Sequence, residues 1–360
     1  MSRIELSTDR SNVAHNRWGY IDVCKAIGIF LVVLGHTPYI PHSLYIAIFS
    51  FHMPLFFIMM GFVYNHQKYC KITVYEFVKR KAKQYLLPYF LFAIINLLIQ
   101  VIWRLLISHQ TVDCNYILIN LKGILLCYDN KEYMPNCIPI WFLCCAFFAS
   151  VLFWIIMKIR IRYAGIIIVG LMVVYFLIIP YYIDQTTFVW KFPTMLMAAF
   201  YMFIGYILKL GLTRFNRFFE NNTSTVAIIV LVVVSLYLVV VTNSRVNMDK
   251  CIYSNTFLSL PVSVVVSSGI IAFLKKITIL ELPFVKWIGK NTIYFIGFNY
   301  LCIDIALIVC NRIPGLNYKE NWGIVFVITF IICLVFAFIG ERIRKSVREI
   351  ALLKRKRKKR

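Results

Sequence analysis

The sequence predicts an all-α membrane protein: a polytopic helix bundle with about ten transmembrane spans and both termini in the cytoplasm. Three observations point there. The 360 residues are 61% hydrophobic and only 15% charged, whereas a soluble domain is about half apolar and about a quarter charged. Apolar runs recur from residue 20 to residue 341, most near the ~20 residues that cross about 30 Å of hydrocarbon as helix. Lysine and arginine gather in alternate connecting segments, the asymmetry that orients multi-pass proteins.

Spans are expected over 20–40, 44–64, 85–107, 138–157, 163–183, 192–210, 224–242, 254–274, 291–311 and 322–341. These runs are continuous, without the alternation of barrel strands, so each must satisfy its backbone internally as helix. The first 19 residues are polar and lack a charged–apolar–small cleavage pattern, so the first span is expected to stay in the mature chain. Residues 1–341 are expected to form one membrane domain and 342–360 a basic tail. Pro88, Pro180 and Pro193 fall at span ends, where a missing N–H costs little, while Pro54 and Pro261 lie inside spans and predict kinks. Segment 108–137 is expected to be one long outside loop; its Cys114, Cys127 and Cys137 suit a disulfide if the compartment is oxidising. Cys144, Cys145, Cys302 and Cys333 lie in apolar helix, where cysteine acts as a small hydrophobe.

With the N-terminus inside, eight basic residues fall outside (Arg104, Lys122, Lys131, Lys191, Arg245, Lys250, Arg312 and Lys319) and Lys25 lies within a span. The other 30 of the 39 face the cytoplasm, so the orientation holds loop by loop. It accounts for most of the net charge of +24. The run KRKRKKR at 354–360 then serves as a topology signal and anionic-lipid anchor, and no nucleic-acid partner is expected. The eleven cysteines show no metal-ligand spacing; Walker, Rossmann, HExxH and GxSxG patterns and internal repeats are missing from the sequence.

Ionisable groups at membrane depth are expensive unless they face a polar interior. Besides Asp22, the first two spans carry Lys25, His36 and His52. Eleven residues separate Lys25 from His36, about three helical turns, so both project from one face roughly 16 Å apart. Asp22 is placed for an i,i+3 ion pair with Lys25. His52, on the returning span, reaches the same outer half as His36. A cation at one end and two imidazoles deeper in suit a channel for a long substrate with one anionic end. Packing is the competing account of either histidine alone. Arg80 and Lys83, before the third span, share a helical face where cytoplasm meets membrane. A guanidinium fork and a lysine point charge suit phosphate there, against simple positive-inside anchoring.

Asp22-x-x-Lys25 followed by His36, FHMPLFF-x-MxGF at 51–62, the basic pair before Leu86–Tyr89, IWFLCC at 140–145, Gly205-Tyr206 and IGKNTIYF at 288–295 together resemble the acyltransferase-3 family of integral membrane acyltransferases. Within it they are most similar to O-acetyltransferases related to fucose 4-O-acetylase, which decorate bacterial surface sugars.

The resemblance implies transfer of an acyl group, expected to be acetyl, from acyl-CoA to a hydroxyl of a cell-surface or lipid-linked saccharide. Acetyl-CoA would be co-substrate, no metal would take part, and the enzyme would sit in the cytoplasmic membrane among its lipids. His36 matches the family's essential histidine and Lys25 the basic residue before it; Arg80 and Lys83 match the paired basic motif, with lysine in place of a second arginine. His36 is expected as general base, with His52 orienting it or stabilising the oxyanion. Trp141 is expected to pack or to line the pocket. Asn299 departs from the pattern, standing where many relatives carry histidine. A saccharide transporter or flippase and a non-catalytic member of the same fold are the competing readings.

Overall fold

The computed structural model describes residues 5–106, 108–128, 133, 138–182, 189–277 and 280–357. It is a helical bundle with ten helical segments long and apolar enough to cross a membrane among the described residues. The first span belongs to α1 (Glu5–His36). The second is two helices, α2 (His42–Phe49) and α3 (His52–Phe62). The short α4 (His66–Tyr69) and then α5 (Val74–Lys81) follow, α5 closed by a Thr73–Glu76 capping box. A π turn over Ala82–Leu86 joins α5 to α6 (Leu87–Leu106). Next come α7 (Cys114–Leu126), α8 (Trp141–Met157), α9 (Ile161–Tyr182), α10 (Phe192–Arg214), α11 (Asn216–Glu220) and α12 (Asn222–Val241). A two-stranded antiparallel hairpin, β1 (Val246–Asn247) and β2 (Ile252–Tyr253), precedes α13 (Thr256–Lys276). The chain closes with α14 (Pro283–Lys290), α15 (Thr292–Asn311) and α16 (Trp322–Arg357), which runs past residue 341 into the basic tail.

Proline explains the interruptions. A proline ring clashes with the carbonyl four residues before it. For Pro54 that carbonyl belongs to Ser50, and the second span breaks at Ser50–Phe51, where Phe51 takes φ −144°. The kink expected at Pro54 therefore lies earlier, and Pro54 sits in the first turn of α3, where no N–H is needed. Pro88 leaves the Gln84 carbonyl without its helical donor, and the chain there forms the π turn. Pro261 is only the sixth residue of α13, so its clash falls on the first turn and the helix continues through it.

Segment 108–137 is not a plain loop. Asp113 caps α7 by accepting from the Tyr116 N–H at 2.8 Å. The Tyr116 hydroxyl donates to Gln100 at 2.9 Å, and the Tyr89 hydroxyl donates to the Ile124 carbonyl at 2.8 Å. Moving forward along α7 is moving backward along α6, so α7 re-enters the bundle antiparallel to it. Thirteen residues are too few to span but suit a re-entrant helix. Cys114 and Cys127 flank α7 at its two ends and are both free thiols, about 20 Å apart along the axis. Cys137 lies outside the described residues. Cys144, Cys145, Cys302 and Cys333 are buried, as their apolar helices predict.

The tightest contact in the core joins α3 to α10. A Cβ added to Gly61 would fall 1.7 Å from the Met202 carbonyl oxygen, and one added to Gly205 would fall 1.9 Å from that of Ile58. The two backbones touch through the absence of side chains, the small-residue packing that drives helix association in lipid. Asn96 on α6 donates to the Gly297 carbonyl on α15 at 2.9 Å, adding a polar link of the same kind.

Gly205→Val is expected to abolish recovery of monodisperse protein in detergent, because a backbone carbonyl cannot step aside. Gly211, where an added Cβ would meet nothing within 4 Å, should tolerate alanine. Size-exclusion recovery of the two variants in detergent checks this, and equal recovery would refute the close-contact account.

Candidate active site

The bundle has a basic end, where segments 66–83 and 286–290 lie, and an opposite end formed by the α1–α2 turn, the hairpin and the start of α8. At the opposite end is a cavity of about 560 Å³. His36, His52 and Trp141 all line it. At the basic end is a second cavity of about 370 Å³, lined by Asp22, Lys25, Gln84, Tyr85 and Lys290 among others. Phe56, Phe142 and Ile296 line both. These three side chains form a septum; the Phe56 and Phe142 rings lie 5.6 Å apart.

The break after Ser50 sets the imidazoles. With Phe51 outside helical geometry, the His52 side chain turns back to the last turn of α2, where Nδ1 lies 2.8 Å from the Ile48 carbonyl. A carbonyl accepts only, so Nδ1 carries the proton. In neutral His52 the remaining nitrogen, Nε2, is therefore an acceptor, poised as a base and unsuited to donating to an oxyanion. His52 is 2% exposed, so this tautomer is held inside the protein. His36 ends α1 half-buried, with no hydrogen bond to either ring nitrogen among the described residues. Its ring meets Tyr300 at 5.5 Å and Phe49 edge-on at 5.9 Å. Phe49 also meets His52 edge-on at 4.8 Å. The two imidazoles thus share a cavity and an aromatic neighbour without bonding each other.

Lys25 donates to Asp22 at 3.1 Å, the pairing their spacing predicts. Arg80 and Lys83 are exposed and line neither cavity. Phe77, Lys81 and Tyr85 follow the i, i+4 stripe that faces inward, with Phe77 and Tyr85 buried. Arg80 and Lys83 lie outside that stripe, one turn before and immediately before Gln84, which lines the basic-end cavity with Tyr85. Asn299 is fully buried and lines neither cavity; both polar atoms of its amide lack a hydrogen-bond partner among the described residues. No group of His, Cys, Asp and Glu suited to a metal ion occurs among the described residues.

A family model described as an acyltransferase domain, acyltransferase-3, matches residues 18–342. The chain belongs to the acyltransferase-3 family. No curated protein and no solved structure matches it. The family and the ten apolar helices together make it a multi-pass membrane acyltransferase.

Several residues of this acyltransferase's cavities carried no sequence signal of their own. Lys191 counts in the sequence as an ordinary loop cation, yet it is 6% exposed and its ammonium lies 2.7 Å from the Asp249 carboxylate. Both line the large cavity beneath the hairpin. Thr194 donates to the Met248 carbonyl at 3.0 Å and holds the hairpin over α10. Tyr300 was equally unmarked in its apolar stretch, while Lys290 stood inside the IGKNTIYF motif without a role assigned to it. Asp249 alone offered a hint, as one of only 15 acidic residues in the chain.

Breaking the buried Lys191–Asp249 pair from one side should cost about 3–5 kcal/mol of stability, because the partner charge is stranded. Lys191→Met and Asp249→Asn are each expected to melt well below wild type, with the double variant recovering much of the loss. A double-mutant cycle by thermal unfolding measures it, and additive single effects would contradict the pairing.

Proposed function

We propose that this acyltransferase moves an acetyl group from acetyl-CoA to a hydroxyl of a cell-surface or lipid-linked saccharide, with a specificity like that of fucose 4-O-acetylase. The two cavities meeting at one thin septum carry the reading. One end is lined by Lys25 and Lys290, the other holds two imidazoles, and Phe56, Phe142 and Ile296 line both. A substrate with an anionic head and a slender reactive tip fits that shape.

Basic segments orient the bundle with its basic end in the cytoplasm of the bacterial inner membrane. The phosphates of the donor lie against Lys25 and Lys290, with Arg80 and Lys83 adding attraction from the exposed side of the neighbouring helix. Arg80 supplies a planar fork and Lys83 a point charge. The pantetheine arm passes the septum and delivers the thioester to the far cavity. The acceptor hydroxyl enters from the opposite side, under the hairpin, where the Lys191–Asp249 pair and Trp141 give a polar and aromatic wall. Its oxygen attacks the thioester carbonyl carbon while His36 takes the hydroxyl proton. The C–S bond then breaks, and the imidazolium returns that proton to the departing thiolate. An O-acetyl ester and free CoA result.

His52 accepts a hydrogen bond through Nε2, either from the acceptor hydroxyl or from a water that holds it. The oxyanion is left to other donors. Asn299, without an ionisable group, contributes no proton transfer.

The opposed cavities also suit a transporter, and the test separates the two. Purified protein in lipid is given acetyl-CoA and candidate lipid-linked or surface sugars, and thiol release is followed. Sugar-dependent release is expected, with His36→Ala lowering kcat by about 10²–10⁴-fold, the usual worth of a general base. His52→Ala, losing one hydrogen bond worth about 1 kcal/mol, should lose about tenfold or less. Absence of both thiol release and CoA binding would defeat the enzyme reading and favour transport.

The septum carries its own prediction. Phe142→Ala widens the passage, so butyryl-CoA should gain on acetyl-CoA in kcat/KM by about tenfold, the scale of one or two methylenes in an apolar slot. An unchanged ratio would remove Phe142 from the donor route.

A further inference from the structure

A third cavity, of about 420 Å³, lies on the flank of the bundle between α6, α7 and α15 and shares no lining residue with the other two. Gln100, Trp103 and Arg104 of α6, Tyr116 of α7, and Asp304 of α15 bring polar and aromatic groups into it. Ile305 and other aliphatic side chains back them. The surrounding surface is apolar and exposed, with Leu98, Ile102 and Leu118 each more than half accessible, so this flank faces lipid.

Two charges of opposite sign stand in that cavity. The Arg104 guanidinium lies 3.9 Å from the centre of the Tyr116 ring. The Tyr116 hydroxyl is itself tied to Gln100 at 2.9 Å, which holds the ring in place. A guanidinium stacked in this way keeps its N–H edges free for a planar two-point contact with phosphate. Asp304 is exposed into the same space and has no hydrogen bond or ion pair among the described residues, Arg104 included. It lies seven residues from the end of α15, about 10 Å along the axis. A carboxyl group at such depth is costly unless a polar partner covers it.

The covering group must therefore offer an oxyanion to Arg104, hydrogen-bond donors to Asp304, and an apolar chain to the lipid-facing wall. Trp103 and Tyr116 add flat apolar faces with polar edges, which suit a sugar ring. Asp304 follows Tyr300 by one helical turn, and the Tyr300 ring is 5.5 Å from that of His36. A head group seated here is one turn of helix from the imidazole cavity.

We propose that this flank cavity seats a lipid-linked saccharide, with the lipid phosphate on Arg104 and sugar hydroxyls on Asp304, and so presents the acceptor of the acyl transfer from within the membrane. The inference rests on the acyl-transfer reading for what happens next, but the seat is tested without the reaction.

Full-length protein in phosphatidylcholine nanodiscs, free of CoA, is titrated with a radiolabelled farnesyl phosphate carrying one N-acetylglucosamine. Saturable binding is expected. Arg104→Gln should weaken it about tenfold or more, the scale of losing a charge-assisted pair, and Asp304→Asn by several-fold. Neither phosphatidylethanolamine nor water-soluble N-acetylglucosamine 1-phosphate should compete at equal concentration. Both variants should retain the wild-type protection by CoA against heating, which separates loss of the seat from loss of the fold. No saturable binding, or binding unchanged in both variants, would overturn the proposal. Equal competition by phosphatidylethanolamine would make this a phospholipid site, and equal competition by the soluble sugar phosphate would remove the membrane anchor. If no sugar accepts acetyl while variant-sensitive binding persists, the acyl-transfer reading fails and the lipid-glycan seat stands.

Discussion

The architecture turns on the contact between α3 and α10. In lipid no hydrophobic force presses helices together, so association falls to close packing and polar links. At Gly61 and Gly205 the two helices approach until each glycine abuts a carbonyl of the other. That contact anchors the C-terminal half of α3. His52 begins α3, and Phe56, the septum residue, lies one turn further on. The helix that carries the buried imidazole and a residue common to both cavities is thus held at its other end by two missing side chains.

A second constraint acts at the break in that span. Pro54 denies Ser50 a helical partner, and in the resulting turn the Ile48 carbonyl accepts from the Phe51 N–H at 3.3 Å and from His52 Nδ1 at 2.8 Å. One proline thus converts a membrane span into a platform that specifies an imidazole tautomer. A straight helix would bury the same histidine without choosing which nitrogen points into the cavity.

Much of this was legible beforehand because lipid makes strict demands. Every span is marked by length and hydropathy, and the Asp22–Lys25 pair follows from helical spacing alone. The convergence of His36 and His52 follows from depth. Other features depend on partners distant in sequence. The re-entrant α7 is shorter than a span, so hydropathy does not separate it from an apolar loop. Lys191 and Asp249 are 58 residues apart and become a buried pair only when the hairpin folds over α10. Arg80 and Lys83 mark a basic helix end, but which side of it faces the cavity depends on the stripe through Phe77, Lys81 and Tyr85. Asp304 falls inside the span expected over 291–311, but only the fold sets it in one cavity with Arg104 and Tyr116.

If the protein sits in the inner membrane, as proposed, the septum has a consequence for the cell's energy supply. A cavity on each side of a membrane protein invites water, and joined water would conduct protons down the gradient that drives ATP synthesis. Phe56, Phe142 and Ile296 interpose hydrocarbon where the two cavities come closest. In the proposed reaction only a thin arm parts them, and the proton taken from the acceptor leaves with the thiol. The membrane can then be chemically permeable to an acetyl group while remaining an electrical insulator.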